Sequence, residues 1–283
     1  MTLALHADWL VPDWPAPPGV HAVFTTRSGG VSDAPWDAMN LGDHVGDVPA
    51  HVAANRACLS AAVGAHPVFL QQVHGRDVRV LDHRTPDGSV ADACVTRDAS
   101  VACTIMVADC LPVLLATGCG AVVGAAHAGW RGLAGTAPGS SAGVLESIYA
   151  SFGPLAQVKN AGSAPDLIAW LGPCIGPDAF EVGAEVKAAF EAVDARFARC
   201  FKAAGPAKFM ADLPALARLR LQALGIRAIY GNDSSTPWCT ASNPSRFFSH
   251  RRDTGPCIGG GSGGNGGNGF FTTGRMAACI WKD

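Results

Sequence analysis

The chain has 283 residues, of which 48% are hydrophobic and only 16% are charged, whereas a typical charged share is about 25%. Lys and Arg total 21 and Asp and Glu total 23, so the formal net charge is −2 at pH 7. Because proteins that bind nucleic acids normally carry a basic excess, this balance argues against a general nucleic-acid binder. Ten cysteines and nine histidines are the unusual counts, and they allow disulfides, a metal site or a reactive thiol.

The predicted elements mix strands and helices without a regular alternating period. In chain order they are strand 20–26, helix 52–63, strands 68–72, 78–81, 101–107, 112–117 and 121–126, a helix around 142–151, strand 167–171, helices 185–197 and 213–224, and strand 226–230. Hydrophobic periodicity and helix end signals support these assignments. The pattern predicts an α/β or α+β sandwich, with mixed β-sheets flanked by helices, as one domain over residues 1–283.

One segment is uncharged for long enough to cross a bilayer. Residues 110–130 contain no Asp, Glu, Lys or Arg over 21 positions, and about 20 apolar residues span a membrane. Because a proline and four glycines interrupt this segment, two buried strands fit it better, and we expect no membrane contact. The first 20 residues lack the basic start and apolar run of a secretory signal. We therefore expect a cytoplasmic protein with reduced thiols.

Glycine dominates a single segment near the C-terminal end. Residues 255–269 contain nine glycines in 15 positions. Such a composition buries too little apolar area to offset the loss of backbone entropy. The sequence therefore predicts a flexible Gly-rich insertion at 255–269.

Three short motifs carry groups that could perform chemistry. They are 71–75 (QQVHG) with His74, 108–112 (ADCLP) with Asp109 and Cys110, and 127–132 (HAGWRG) with His127. Each follows or ends a predicted strand, where a rigid sheet commonly carries functional groups. Two imidazoles and one thiolate form a ligand set that catalytic zinc uses, with the fourth position open. The spacings of 36 and 17 residues are not a compact zinc signature, so three packed core residues remain the simpler alternative.

The same motifs allow a reaction without metal. Cys110 would then be a nucleophile, His127 its base and Asp109 the acid that orients His127, as in cysteine hydrolases. The two mechanisms exclude each other, because a zinc ligand is not a free nucleophile. Copper cluster chemistry is a poor fit, since no histidine lies two residues from another and the His-x-His pairs of a multicopper oxidase are therefore missing.

Further candidates are weaker. The segment 25–30 (TTRSGG) joins a strand end, Arg27, Ser28 and a glycine turn, which suits an anion such as phosphate or else an ordinary turn. Arg252 and Arg275 flank the Gly-rich segment and could add anion contacts. Cys174 is predicted to be buried in a turn after a strand. Core positions are predicted for six other cysteines: Cys58, Cys94, Cys103, Cys119, Cys200 and Cys279.

Taken together, the motifs resemble the YfiH-like family, also called the laccase-domain or polyphenol oxidase family. The matching segments are 24–27 (FTTR) with 29–30 (GG), 39–42 (MNLG), 72–75 (QVHG), 108–112 (ADCLP), 127–132 (HAGWRG), 171–176 (LGPCIG), 239–240 (CT), 247–253 (FFSHRRD) and 273–277 (TGRMA). The resemblance runs over nearly the whole chain. One departure is that 19 residues, 254–272, separate the last two segments, which the family usually joins directly, so they must loop out if Arg252 and Arg275 both line one site.

The resemblance implies a purine nucleoside phosphorylase that converts adenosine, inosine and methylthioadenosine to free base and ribose 1-phosphate, and that also deaminates adenosine. It implies a single sandwich domain related to cysteine hydrolases. It also implies that His74, Cys110 and His127 bind Zn²⁺. Because some members are reported to act on peptidoglycan precursors, a cysteine amidase stays an alternative. A non-catalytic nucleoside-binding protein is a second one.

The implied partners are purine nucleosides and phosphate. For the site, we expect Asp109 to act as general acid or base beside Cys110 and His127. We expect substrate or phosphate contacts from Arg27, Ser28, Asn40 and Arg275.

Overall fold

A computed structural model describes residues 5–135, 142–156, 166–254 and 272–283. The strands are β1 Val20–Phe24, β2 His66–Phe69, β3 Val78–Leu81, β4 Ala93–Thr96, β5 Val101–Val107, β6 Leu111–Thr117, β7 Val123–Ala128, β8 Leu167–Leu171, β9 Glu181–Gly183, β10 Phe201–Gly205, β11 Lys208–Ala211, β12 Ala228–Gly231 and β13 Met276–Lys282. The helices are α1 Pro49–Val63, α2 Trp130–Ala134, α3 Val144–Ala156, α4 Ala184–Glu191, α5 Leu213–Ala223 and α6 His250–Asp253, with 3-10 turns at Ala195–Cys200 and Thr236–Trp238.

The strands form three sheets. Four strands lie in the order β1-β13-β5-β2, six in the order β12-β8-β6-β7-β4-β3, and three in the order β10-β11-β9. The four-stranded and six-stranded sheets each contain parallel and antiparallel pairs. The predicted mixed α/β fold, with mixed sheets and helices, is therefore confirmed, and the single domain over residues 1–283 stays a prediction.

Both large sheets are buried on two faces. Along β6, Leu111 and Val113 pack in the cluster that includes α3 and α5, whereas Leu114 and Ala116 pack against the four-stranded sheet. The other face of the four-stranded sheet packs on α1, where Leu59 contributes to a third cluster. Strands with two buried faces need apolar residues at nearly every position, which accounts for the low share of charged residues.

Most predicted elements agree with the structure to within a few residues. The uncharged stretch 110–130 holds β6 and β7, which pair antiparallel, and none of the described helices is long and apolar enough to cross a membrane. The predicted helix 185–197 is wrong at its end, because α4 stops at Glu191 and a 3-10 turn follows. The sequence did not predict β4, β9, β10, β11 or β13.

The cysteine predictions are partly correct. The nine cysteines within the described residues are free thiols. Cys94, Cys103, Cys200 and Cys279 are buried as predicted, and so is Cys174, whereas the core prediction is wrong for two exposed cysteines: Cys58 and Cys119. The predicted flexible insertion at 255–269 lies outside the described residues.

The strand register brings the motif residues together. Leu111 pairs with Ala128 and Pro112 with His127 across β6 and β7. Cys110, directly before β6, therefore lies next to the end of β7. The segment between β2 and β3 carries His74 to the same end of the sheet. His74 lies five residues beyond the end of β2, so it occupies a loop rather than the predicted strand end.

Candidate metal centre and its cavity

His74, Cys110 and His127 converge, as the sequence predicted. The Sγ of Cys110 lies 3.7 Å from Nε2 of His74, and the two imidazole rings meet edge to face with centroids 4.8 Å apart. The three ligand atoms all lie within 4.8 Å of one another, and no other group of this kind is found in the described parts of the chain. His74 is exposed, Cys110 half-buried and His127 buried. One open side therefore remains for a further ligand.

The donor set fits a tetrahedral metal. Zinc bonds of about 2.0–2.1 Å to nitrogen and about 2.3 Å to sulfur place two such ligands roughly 3.6 Å apart, close to the observed 3.7 Å between sulfur and nitrogen. Gly129 leaves room beside them. A Cβ at Gly129 would lie 2.9 Å from Cδ2 of His74 and 3.1 Å from Sγ of Cys110. Any other residue there would push the donors apart.

A buried carboxylate that the sequence did not indicate supports both imidazoles. Asp92, directly before β4, is fully buried, and its Oδ1 accepts from Nδ1 of His127 at 2.8 Å. The backbone N–H groups of Val73, His74 and Gly75 also donate to this carboxylate. Burial alone would raise the pKa of Asp92, but the hydrogen bonds from His127 and from the backbone N–H groups hold it below its usual value.

The thiol and the buried imidazole shift each other's charge. Burial would raise the pKa of Cys110, but the charge of His127 and hydrogen bonds from His127 and His74 lower it to about 6. Burial would lower the pKa of His127, but the Cys110 thiolate and Asp92 raise it to about 9. Without metal, the pair is therefore a thiolate beside an imidazolium near neutral pH. A thiolate is also the form that binds metal.

Asp109 has a different place from the one predicted in the hydrolase mechanism. Its Oδ1 accepts from the Thr240 hydroxyl at 2.5 Å, and its Oδ2 accepts from the backbone N–H of Arg251 at 2.6 Å. The predicted orienting role toward His127 is wrong, because Asp92 makes that contact. Asp109 adopts a left-handed backbone conformation with φ of 90°. Its carboxylate joins the turn before Cys110 to α6, and its role as general acid or base stays a prediction.

The three donors lie on one wall of a cavity of about 640 Å³. Apolar side chains form another part of the wall, and they include Trp130, Ile175, Phe180 and Leu213. Four arginines also line it: Arg56, Arg131, Arg251 and Arg275. A cavity of this size, mostly apolar with a few converging polar groups, is typical of a small-molecule site.

Arg275 is the predicted anion contact that reaches this cavity. Its Nη1 donates to the carbonyls of Thr273 and Gly274, and no carboxylate of the described residues forms an ion pair with it. Burial lowers its pKa, although the negative charges of Cys110 and Asp109 act in the opposite direction. Arg275 is half-buried, and guanidinium groups that lose much of their contact with water normally have an anionic partner. An anionic ligand would supply one here.

Asn40 lies behind Arg275 rather than in the cavity wall. Its side chain is fully buried, and its Oδ1 accepts from the backbone N–H groups of Arg275 and Gly42. Its Nδ2 donates to the carboxylate of Asp47 at 2.8 Å. The structure therefore gives Asn40 a part in fixing the segment that carries Arg275, and it shows no path from Asn40 to a ligand in the cavity.

The structure does not bring the other predicted anion contacts to the cavity. Arg27 pairs with Asp37 at 3.1 Å and donates to the Pro244 carbonyl. Ser28 borders a separate pocket of about 350 Å³. Arg252 donates to the backbone carbonyls of Thr240 and Phe247 and pairs with Asp253, so it fixes the loop around α6. Ligand contacts from Arg27 and Ser28 stay predictions without support from this geometry.

Comparisons with known proteins agree with the motifs. The model of the family described as "Multi-copper polyphenol oxidoreductase laccase" matches residues 21–283. "Purine nucleoside phosphorylase YfiH" of Escherichia coli is 44% identical over 274 residues, 96% of this chain and 98% of the relative. "Purine nucleoside phosphorylase PA4543" of Pseudomonas aeruginosa is also 44% identical with the same coverage.

Solved structures show the same fold. Neisseria meningitidis protein NMB0706 superposes with a TM-score of 0.79 at 41% identity, covering 98% of this chain and 99% of that one. YlmD from Geobacillus stearothermophilus gives a TM-score of 0.75 at 28% identity, covering 99% and 98%. Relatives at this identity and coverage share one family. The chain therefore belongs to the laccase-like family that includes YfiH, the family that its sequence motifs resemble.

Proposed function

We propose that this protein is a zinc-dependent purine nucleoside phosphorylase that also deaminates adenosine. The observation that carries the proposal is the joint presence, in one cavity, of the donors His74, Cys110 and His127 and of Arg275, which forms no ion pair with a carboxylate of the described residues. Relatives that are 44% identical over nearly the whole chain are named purine nucleoside phosphorylases. Adenosine, inosine and methylthioadenosine are the proposed nucleosides.

Arg275 is the proposed phosphate contact. Its backbone N–H is fixed by Asn40 and its Nη1 by two carbonyls, so the guanidinium is held in place before a ligand arrives. A positioned guanidinium suits phosphate because its planar N–H groups match two oxygens. Positioning in advance lowers the entropic cost of bringing phosphate to the nucleoside.

The reaction requires two coupled bond changes. A phosphate oxygen forms a bond to C1′ of the ribose, while the C1′–N bond breaks and its electron pair stays on the purine, which takes up a proton. In this proposal the proton comes from the attacking hydrogen phosphate, which loses it as the bond to C1′ forms, and Asp109 relays it to the purine. The apolar wall around Phe180 and Trp130 excludes water, which would otherwise compete with phosphate for C1′.

His74, Cys110 and His127 would hold the zinc ion. When bound, zinc supplies Lewis-acid polarisation and lowers the pKa of a coordinated water toward about 7, which is the chemistry that deamination at the purine C6 uses. The same two-imidazole, one-thiolate set also occurs in blue-copper sites, where a weak axial thioether is added. Metal analysis of the purified protein must therefore measure copper as well as zinc.

One assay tests the proposal. The protein is incubated with adenosine, with and without phosphate, and adenine, inosine and hypoxanthine are resolved by chromatography. Adenine that forms only with phosphate supports phosphorolysis, and inosine supports deamination. If neither adenine nor inosine forms, the remaining candidates are a nucleoside-binding protein and an amidase. Full turnover by protein without bound metal would contradict the zinc requirement.

A specific observation favours a cysteine amidase as the second candidate function. The Sγ of Cys110 lies 3.7 Å from Nε2 of His74 and within 4.8 Å of the ligand atom of His127, and these two imidazoles lower the pKa of Cys110, which is the pairing found in cysteine nucleophiles. The suggested likeness to cysteine hydrolase folds stays a prediction. An amidase should survive chelators and lose activity when iodoacetamide alkylates Cys110, whereas a zinc phosphorylase should lose activity to chelators.

A further inference from the structure

We infer that Asp92 is a positioning residue that fixes both imidazoles of the metal centre at once, and thereby sets how tightly the protein binds metal. The inference rests on the metal centre of the proposed function and concerns a residue that contacts neither substrate nor metal. Four N–H groups from two separate segments point at Asp92.

The two oxygens of Asp92 have different partners: Oδ1 holds the ring of His127 together with the backbone of His74, and Oδ2 holds only backbone. Oδ1 accepts from Nδ1 of His127 at 2.8 Å and from the backbone N–H of His74 at 2.9 Å. Oδ2 accepts from the N–H groups of Val73 and Gly75 at 3.1 and 2.6 Å. Because Asp92 has no exposed surface, water cannot replace these bonds if the carboxylate is lost.

The contact with His127 selects the tautomer of its ring. An ionised carboxylate only accepts hydrogen bonds, so Nδ1 of His127 must carry a proton, and Nε2 is left with a lone pair for the metal. The backbone strengthens the alignment, because the N–H of His127 donates to the carbonyl of Asp92 at 2.7 Å. Ring and backbone of His127 are therefore both tied to one residue.

The contact with His74 fixes its backbone. His74 has a φ of 60°, a left-handed conformation that costs energy for a residue with a Cβ. Three consecutive N–H groups directed at one carboxylate compensate this cost, in the manner of an anion nest. Without that anchor, the loop could return to an ordinary conformation and carry the imidazole away from Cys110.

Asp92→Asn is the sharpest variant, because it keeps the shape and removes one acceptor. If the amide nitrogen replaces Oδ1, it faces the backbone N–H of His74, so two donors meet and that hydrogen bond is lost. The amide can then donate to Nδ1 of His127 only when that ring carries its proton on Nε2, the metal-binding atom. If the amide nitrogen replaces Oδ2, it faces the N–H groups of Val73 and Gly75, and both of these hydrogen bonds are lost. Each orientation therefore impairs at least one of the two imidazoles.

Asp47→Asn is the matched control. Asp47 is also a buried carboxylate, with 1% of its side chain exposed, and it accepts from Ser32, Asn40 and the backbone of Val48. It contacts none of the three metal donors. Both variants should lower the melting temperature, since each leaves a buried donor unsatisfied. Only Asp92→Asn should weaken metal binding.

The experiment titrates the metal-free full-length proteins with Co²⁺ and Zn²⁺ in competition with a chelator. We expect Asp92→Asn to bind each metal about 10–100-fold more weakly than wild type, the usual cost of removing an outer partner of a ligand, with altered cobalt absorption bands. Asp47→Asn should match wild type. Equal metal affinity in wild type and Asp92→Asn would overturn the inference.

A second measurement needs no variant, in case Asp92→Asn does not fold. Long-range ¹⁵N–¹H spectra of the zinc-loaded wild-type protein report which imidazole nitrogen carries the proton. We expect His127 to be protonated on Nδ1, and protonation on Nε2 would overturn the inference. Tight metal binding without phosphorolysis would contradict the proposed function alone, whereas phosphorolysis with unchanged metal binding in Asp92→Asn would contradict the inference alone.

Discussion

Two walls of the cavity are built by the chain in different ways. The donors His74, Cys110 and His127 depend on strand register, since the pairing of β6 with β7 places Cys110 beside His127. On the other wall, the backbone N–H of Arg275 donates to the side chain of Asn40, 235 positions away in sequence, and Nη1 of Arg275 donates to the nearby carbonyls of Thr273 and Gly274. The donor wall is thus fixed by the sheets, and the arginine wall by individual hydrogen bonds.

This difference predicts which property a substitution on each wall changes. Short donors near a strand end have few alternative positions, so a change of the donor atom removes the site. The guanidinium of Arg275 lies on a long flexible stem, and its place is determined by the hydrogen bonds of Nη1 and by the contacts along the stem. Substitutions on the donor wall should therefore change metal content and turnover, and those on the arginine wall should change the apparent affinity for phosphate.

The largest expected effect is that of Cys110→Ser. Serine keeps the size but not the thiolate, which is the donor that soft or borderline metals prefer. Bound zinc, measured by elemental analysis, should fall from one equivalent per chain to nearly none, and phosphorolysis should fall by more than the roughly 100-fold cost of losing an outer partner. Cys58→Ser is the control, because Cys58 is exposed and should be replaceable without loss. A Cys110→Ser protein that retains zinc and turnover would refute the metal centre.

Asp109→Asn should have the next largest effect. If Asp109 transfers a proton, kcat should fall by about 10²–10⁴-fold while the KM for the nucleoside changes little. Thr240→Val separates this role from a positioning one, because it removes the 2.5 Å hydrogen bond to Asp109 and leaves the carboxylate. A loss of kcat in Thr240→Val as large as that in Asp109→Asn would show that Asp109 acts by holding the turn. The two kcat values from steady-state assays decide between these roles.

The donor wall was predictable from sequence, and its support was not. Cys110 and His127 stand out because each lies within two residues of glycine, an acid or proline at the boundary of an apolar run. Asp92 has the same chemistry as any acid at the start of a strand, and its burial becomes visible only when β4, which the sequence did not predict, pairs with β7. Residue type and position near strand ends indicate candidate ligands, whereas tertiary pairing determines which acid supports them.

The arginines show even more clearly that local sequence does not predict which side chains reach the cavity. Arg27 lies in a motif that suits an anion, yet its guanidinium binds Asp37. Arg275 lies next to a Gly-rich segment with no comparable local signal, yet it lines the cavity. The direction of a long side chain depends on its partners in the folded chain, such as the distant Pro244 carbonyl that Arg27 contacts, and no local sequence pattern records these partners. The fold class was predictable because buried strands such as β5 and β6 leave a strong apolar signal, although β4 and β13 are also buried and were not predicted.

Arg275→Met should raise the KM for phosphate by roughly 10–150-fold, because a hydrogen bond to a charged group contributes about 1.5–3 kcal/mol. The KM for the nucleoside should change much less. Initial rates at saturating adenosine and varied phosphate measure this effect. Arg27→Met is the matched control, with the same substitution at an arginine that is bound to Asp37. A larger effect of Arg27→Met on the KM for phosphate would assign the anion site to the sequence motif and not to the cavity.

Gly42→Ala tests the arginine wall by the smallest change. A Cβ at Gly42 would lie 2.8 Å from Cγ of Arg275, so the stem of Arg275 must shift to accept the new methyl group. Because this stem is flexible, we expect a rise of only a few-fold in the KM for phosphate, with metal content unchanged. Gly153→Ala in α3 is the control, since a Cβ there meets no atom within 4 Å and alanine favours a helix by roughly 0.5–1 kcal/mol over glycine. If Gly42→Ala lowers bound zinc instead, the two walls are mechanically coupled and do not fail separately.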